Sequence, residues 1–169
     1  IARDFSELFD KEGVPEEEVQ KFIEGNPILL GGFMPQLLKF KAPATTKYKT
    51  DFALVNTKDE LVLIEIEKPT TRLFKKDGGQ HSELTAAFDQ VGDWLSGATR
   101  NRLGILDDIG MEGISIDRIT NVRGAVIAGR RDRPENRNIG KLLRQDVDFY
   151  TFDDLLDHLR HQIQTYNKV

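Results

Sequence analysis

Lys49-Thr-Asp51-Phe-Ala-Leu-Val55 and Leu61-Val-Leu-Ile-Glu65-Ile-Glu67-Lys68-Pro69 decide how this chain is read. Both segments are short, apolar and rich in β-branched residues. The polar run Asn56-Thr-Lys-Asp59 between them has the composition of a turn, so the pair reads as adjacent antiparallel strands. Strands of this kind face a core, yet they carry Asp51, Glu65, Glu67 and Lys68. A carboxylate among Phe, Ile, Leu and Val is costly unless it is paired, hydrogen-bonded or bound to a metal. For three acids and a lysine on one hairpin, a divalent cation is the simplest partner.

The bulk properties fit one soluble domain. The chain has 169 residues, 38% hydrophobic and 31% charged, and no cysteine, which removes disulfides and zinc–thiolate sites. No apolar run reaches the length of a membrane span and no signal sequence opens the chain. A cytoplasmic setting with no membrane partner and no organic cofactor is therefore expected. A first residue Ile1 rather than Met is expected of a piece of a longer polypeptide. With 24 basic and 28 acidic residues the net charge is −4, which argues against nucleic-acid binding through general basicity. Local basic clusters remain: Lys39, Lys41, Lys47 and Lys49; Arg72, Lys75 and Lys76; and Arg130, Arg131, Arg133, Arg137, Lys141 and Arg144. The first two flank the acidic hairpin and are candidates for phosphate contact; a solvated face is the plainer reading of each.

Outward from the hairpin, helices are predicted over residues 4–11 and 15–25. Pro15 is expected in the first turn of the second, with Glu16-Glu-Glu18 complementing the helix dipole. Three strands follow near 33–41, 49–55 and 61–67. Lys75-Lys-Asp-Gly-Gly79 reads as a mobile loop. Ser82 is expected to cap a helix reaching about Ser96, with Leu84, Phe88, Val91 and Leu95 at helical spacing. A shorter helix near 100–109, a buried strand Gly124–Ala128, a helix near 135–145 and a strand Val147–Tyr150 come next. A final helix over 152–166 starts with the capping pair Thr151 and Asp154. The domain reading is an N-terminal helical segment, 1–30, on a mixed-sheet domain, 31–169.

The acids and their setting resemble the PD-(D/E)xK nuclease superfamily, where an Asp opens one strand and a Glu-x-Lys lies on the next. Asp51 and Glu65 are fourteen residues apart, suited to neighbouring antiparallel strands. The wording DFALV, LVLIEIEKPTTRLF, GGQHSELTAAFDQVGDWL and DFYTFDDLL resembles the nuclease domain of the Shedu family of bacterial anti-phage defence proteins, over most of residues 33–160. The resemblance implies an α/β restriction-endonuclease-like core, α-β-β-β-α-β, with an extra C-terminal strand and helix. It implies a Mg²⁺- or Mn²⁺-dependent deoxyribonuclease in antiviral defence, with DNA as partner and self-association into a homo-oligomer.

On that reading Asp51, Glu65 and the carbonyl of Ile66 hold the metal, and Glu67, Lys68 and Gln90 complete the catalytic group. The alternative for Asp51 and Glu65 is pairing with Lys49 or Lys47. The lysine arrives one residue late, as Glu-Ile-Glu-Lys, so strand alternation turns Lys68 from the face shared by Glu65 and Glu67. Either a bulge before Pro69 brings Lys68 into the site, or Glu67 acts there with a lysine from elsewhere, such as Lys49. Glu83 and Gln90 lie about 20° apart around their helix, at the margin of its apolar stripe. Gln90-x-x-x-Trp94 resembles the Gln-x-x-x-Tyr motif of RecB-type nucleases, although a helix-margin Glu and Gln are ordinarily solvated. Arg72, Lys75 and Lys76 are the candidate DNA contacts. The rival reading is a catalytically silent DNA-binding or assembly domain that keeps the fold, and the displaced lysine favours it.

Overall fold

The computed structural model describes residues 1–41, 49–111, 114–131, 139–142, 144 and 146–167. Lys47, Arg133, Arg137 and most of the helix predicted near 135–145 lie outside them; within that stretch Ile139–Leu142 forms a short 3-10 turn. Five strands make one sheet in chain order: β1 (Pro35–Phe40), β2 (Phe52–Asn56), β3 (Glu60–Ile66), β4 (Asn121–Ile127) and β5 (Val147–Tyr150). The first three are antiparallel, and β3, β4 and β5 run parallel. That division follows from the connections: the three-residue polar link Thr57–Asp59 joins β2 to β3, whereas the path from β3 to β4 carries helices.

Alternation along β2 and β3 feeds two cores. Ala53, Val55, Leu61 and Leu63 face α3 (Ser82–Arg100) and α4 (Arg102–Ile109). Phe52, Leu54, Val62, Ile64 and Ile66 face α1 (Ala2–Asp10), α2 (Glu16–Gly25) and α5 (Phe152–Tyr166). The N-terminal helices thus share one apolar cluster with the sheet through Phe5, Phe9, Val19 and Ile23. On α3 the buried stripe Leu84, Ala87, Phe88, Val91, Trp94 and Ala98 keeps the 3.6-residue period. Each large side chain fully buried this way stabilises by about 1.5–3 kcal/mol. The close approach of α3 needs Gly124 in β4, because a Cβ there would stand 2.2 Å from Val91 Cγ1.

Several local expectations are corrected. Pro15 is the residue before α2 rather than part of its first turn. Ser82 lies inside α3; His81 is the N-cap and supplies no side-chain cap. Lys75–Gly79 closes as a hydrogen-bonded turn, Lys75 N–H donating to Gly79 O at 2.7 Å and Gly79 N–H to Asp77 Oδ1 at 2.9 Å. Arg130 and Arg131 are spent within the fold: Arg130 bonds Asp10 and Asp153 at 2.7 and 3.0 Å, and Arg131 bonds Asp154 and Asp157. Arg130 thereby clamps α1 to α5, and Arg131 is paired along α5. The capping box of Thr151 and Asp154 is formed as the sequence indicates.

Candidate active site

Asp51 stands one residue before β2, where the pairing of Phe52 with Ile64 begins. Its backbone carbonyl accepts from Lys41 N–H at 2.8 Å, and its side chain takes the place of a strand neighbour. Asp51 Oδ2 accepts the Ile66 N–H at 2.8 Å, while Oδ1 accepts from Gln20 Nε2 at 2.9 Å. The preceding Thr50 is buried and places its hydroxyl 2.6 Å from Phe52 O and 2.9 Å from Ile64 O, which pins the entry to β2. Glu65 lies on the α3 face of β3, and its Oε1 accepts from Gln90 Nε2 at 2.8 Å. Two acids from adjacent strands are thus each oriented by a glutamine from a different helix layer.

Burial pushes all the central acids up. Glu65 rises to about 9, first through burial and then through the charges of Asp51, Glu67 and Glu16. Asp51 rises to about 6 through burial and Glu16, opposed by the Ile66 N–H, Lys41 and Gln20. The neighbouring Asp51 therefore favours the protonated form of Glu65. Glu67 rises to about 7 through burial, Glu16 and Glu83, with Lys68 opposing. Glu16 is also raised by burial and lowered by Lys68. The donor set is hard oxygen, Asp51 and Glu65 with the Ile66 carbonyl between the two glutamates, which suits Mg²⁺ or Mn²⁺. Among the described residues no three His, Cys, Asp or Glu side chains are arranged as a ready-made metal cluster. A hard cation that keeps several waters needs only one or two carboxylates.

Lys68 is exposed, makes no direct ion pair among the described residues, and bears electrostatically on Glu16 and Glu67. The expected bulge is absent: β3 pairs regularly to Ile66, and Glu67 N–H still donates to Ile127 O at 2.9 Å. The chain leaves the sheet by a turn instead. Lys68 O accepts from Thr71 N–H at 3.0 Å and from Gly129 N–H at 3.2 Å, with Pro69 unable to continue the ladder. Gly129 holds φ 63°, and a Cβ there would lie 2.8 Å from Thr71 O. Gly129→Ala should therefore destabilise the fold by about 1–3 kcal/mol and shift this turn, measurable as a lowered denaturant midpoint. A midpoint equal to the parent's would show that the contact is soft.

Lys49 is exposed, and it is Lys41 whose charge acts on Asp51. Glu83 acts on Glu67 from the first turn of α3. Arg72, Lys75 and Lys76 line an adjoining cleft of about 440 Å³ together with Phe74 and His81. Glu16 and Gln20 escaped the sequence reading, in which the acids of 16–18 only complemented a dipole. They sit one turn apart on α2, and Gln20 is buried beside Val19 and Ile23. A polar residue inside an apolar stripe was the available signal.

The site thus sits on a mixed α/β domain, a five-stranded mixed sheet flanked by helices, with acids where β2 begins and β3 ends. Residues 13–156 match the family model SduA_C, described as "Shedu protein SduA, C-terminal". The chain belongs to that family. No curated protein matches it. Among solved structures it is similar to a repair endonuclease from Pyrococcus abyssi, with 17% identity and a TM-score of 0.43, over 83% of this chain. The matched part is 48% of the repair endonuclease, so the chain spans about half the length of that relative. No helix among the described residues is long and apolar enough to cross a membrane.

Proposed function

We propose that this domain hydrolyses phosphodiester bonds in DNA, with Mg²⁺ or Mn²⁺ held by Asp51, Glu65 and the Ile66 carbonyl, in bacterial defence against phage. The observation that carries the reading is the half-buried Asp51–Glu65 pair, oriented by Gln20, the Ile66 N–H and Gln90. A fold that only needed stability would place apolar residues there. The bound metal supplies Lewis acidity at the phosphate and a water of lowered pKa. Gln20 and Gln90 keep both carboxylates aimed at one point, and Lys68 offers positive charge at the edge of the same centre, beside Glu67. Membership in the Shedu family supports the defence setting.

The direct test is calorimetric titration with Mn²⁺, alongside cleavage of duplex and single-stranded DNA in Mg²⁺. Binding that disappears in Asp51→Ala is expected; a parent protein that neither binds Mn²⁺ nor cuts would leave the silent DNA-binding reading in its place. Arg72, Lys75 and Lys76 are the proposed DNA contacts. Since the net charge is −4, affinity must come from such a local cluster and fall with salt through counterion release. Replacing all three by Ala should weaken DNA binding about tenfold or more at low salt and flatten the salt slope, with little change in melting temperature. An unchanged dissociation constant and slope would place DNA on another surface.

A further inference from the structure

Beside the carboxylate centre, the segment Lys68–Lys76 and the start of α3 line a groove made of two adjoining clefts that share Arg72 and His81. Its inner part, about 320 Å³, is lined by Lys68, Thr70, Thr71, Arg72, His81 and Glu83. Arg72 and His81 also line the outer part, with Phe74, Lys75 and Lys76. Three polar atoms around it are buried without a hydrogen-bond partner: Thr71 Oγ1, His81 Nδ1 and Gln80 Nε2. Thr71 is only 3% exposed. Gln80 Oε1 already accepts from Arg144 at 3.3 Å, which orients the amide and leaves its Nε2 as the free donor. Gln80 Nε2 only donates, while the Thr71 hydroxyl and His81 Nδ1 can each donate or accept. Buried polar groups in folded proteins are paired as a rule, and a group rich in acceptor oxygens would satisfy all three.

The start of α3 makes the same demand. This nineteen-residue helix has His81 as N-cap with no side-chain cap, so the first-turn N–H groups lack that partner and carry the positive end of the helix dipole. Arg72, Lys75 and Lys76 are exposed on the groove wall and make no ion pair among the described residues. Glu83, on the inner rim, is the one opposing charge among the lining residues of the two parts. It directs an anion toward the Thr71–Arg72–His81 side.

We propose that this groove is a phosphoryl-binding subsite, built from the Thr71 hydroxyl, Arg72, His81 and the first-turn N–H groups of α3. Resting on the function proposed above, it holds a backbone phosphate of the strand whose neighbouring bond lies at Asp51 and Glu65. Phosphate oxygens satisfy the orphaned polar atoms and neutralise Arg72, and the helix N-terminus suits a tetrahedral anion. Free inorganic phosphate offers the same chemistry.

The test uses isotope-labelled protein kept metal-free with EDTA, so that the carboxylates do not contribute. Inorganic phosphate, with chloride as control, should shift the amides of Thr71, Arg72, Ser82, Glu83 and Leu84 in a saturable way. Thr71→Val keeps the shape and removes the hydroxyl; it should weaken phosphate about tenfold without lowering the melting temperature. Arg72→Gln should weaken it further, and Glu83→Gln should tighten it. A ten-nucleotide oligothymidylate that displaces phosphate identifies the strand backbone as the ligand. Phosphate binding with no displacement keeps the subsite but assigns it to free phosphate. Absence of shifts at Thr71 and the first turn of α3, or equal affinity in Thr71→Val and Arg72→Gln, overturns the subsite. Mn²⁺ binding and cleavage, measured separately, judge the nuclease reading whichever way the groove behaves.

Discussion

Glu65→Gln should lower DNA cleavage by about a thousandfold or more, while making the metal-free protein more stable at pH 8. The activity loss follows from removing a carboxylate that Gln90 aims at the same centre as Asp51. The stability gain follows from the direction of its titration. Glu65 moves from an ordinary 4.5 to about 9, Asp51 from 3.8 to about 6, and Glu67 from 4.5 to about 7. A carboxyl raised by folding favours the native state while protonated and loses that contribution as pH rises through its folded value. Metal-free protein should therefore weaken steadily from about pH 4 to pH 9. Glu65→Gln should remove the upper part of that decline, raising the melting temperature at pH 8 by roughly 5 °C, the shift expected of ~2 kcal/mol in a domain this size. Added Mn²⁺ should flatten the same decline in the parent and leave the variant unmoved. Asp51→Asn should behave alike in activity, with a smaller and lower-pH stability effect. Wild-type cleavage by either variant in Mg²⁺, or a melting profile that rises with pH, would remove the basis for a metal–carboxylate centre.

Lys68→Ala is expected to reduce turnover by about a hundredfold or more, the scale of losing one preorganised electrostatic donor, while Mn²⁺ affinity stays within about twofold of the parent. Lys68 bears on Glu16 and Glu67, at the exit of β3, rather than on the Asp51 side chain. The role proposed for it is to offset negative charge developing at the phosphate, not to ligate. Glu67→Ala should cost less, since that acid neighbours the centre without being held by a glutamine. The informative readout is the split between turnover and metal affinity. If Lys68→Ala cuts at the parental rate, the lysine role passes to Glu67 or Lys49; if Mn²⁺ affinity changes with turnover, Lys68 is tuning the carboxylates.

Much of this centre could be read before any fold was known. Asp51, Glu65, Glu67 and Gln90 stood out because acids and amides on apolar strands and helix margins violate the local pattern, and such violations mark sites. Lys68 was also named, but the bulge assigned to it was wrong. The sequence shows that Pro69 must end a ladder, not whether the chain leaves by a bulge or a turn, and Gly129, sixty residues on, settles that by bonding Lys68 O. The hydroxyl of Thr50 and the paired arginines 130 and 131 were equally opaque, because their partners lie on other elements.

Local physics in the sequence by itself determined the strands around Asp51 and Glu65, their antiparallel pairing, the apolar stripe of α3 and the capping box at Thr151. Each depends on neighbours within a few residues, through side-chain alternation, helical period or a single turn. Only the tertiary structure decided that α2 folds over the strand ends and delivers Glu16 and Gln20 to the acids. It likewise decided that Lys41 is the cation acting on Asp51, and that Thr71, Gln80 and His81 leave unpaired polar atoms close to one groove. Those relations join segments tens of residues apart, where only packing of the two apolar faces of the sheet sets which polar atoms meet.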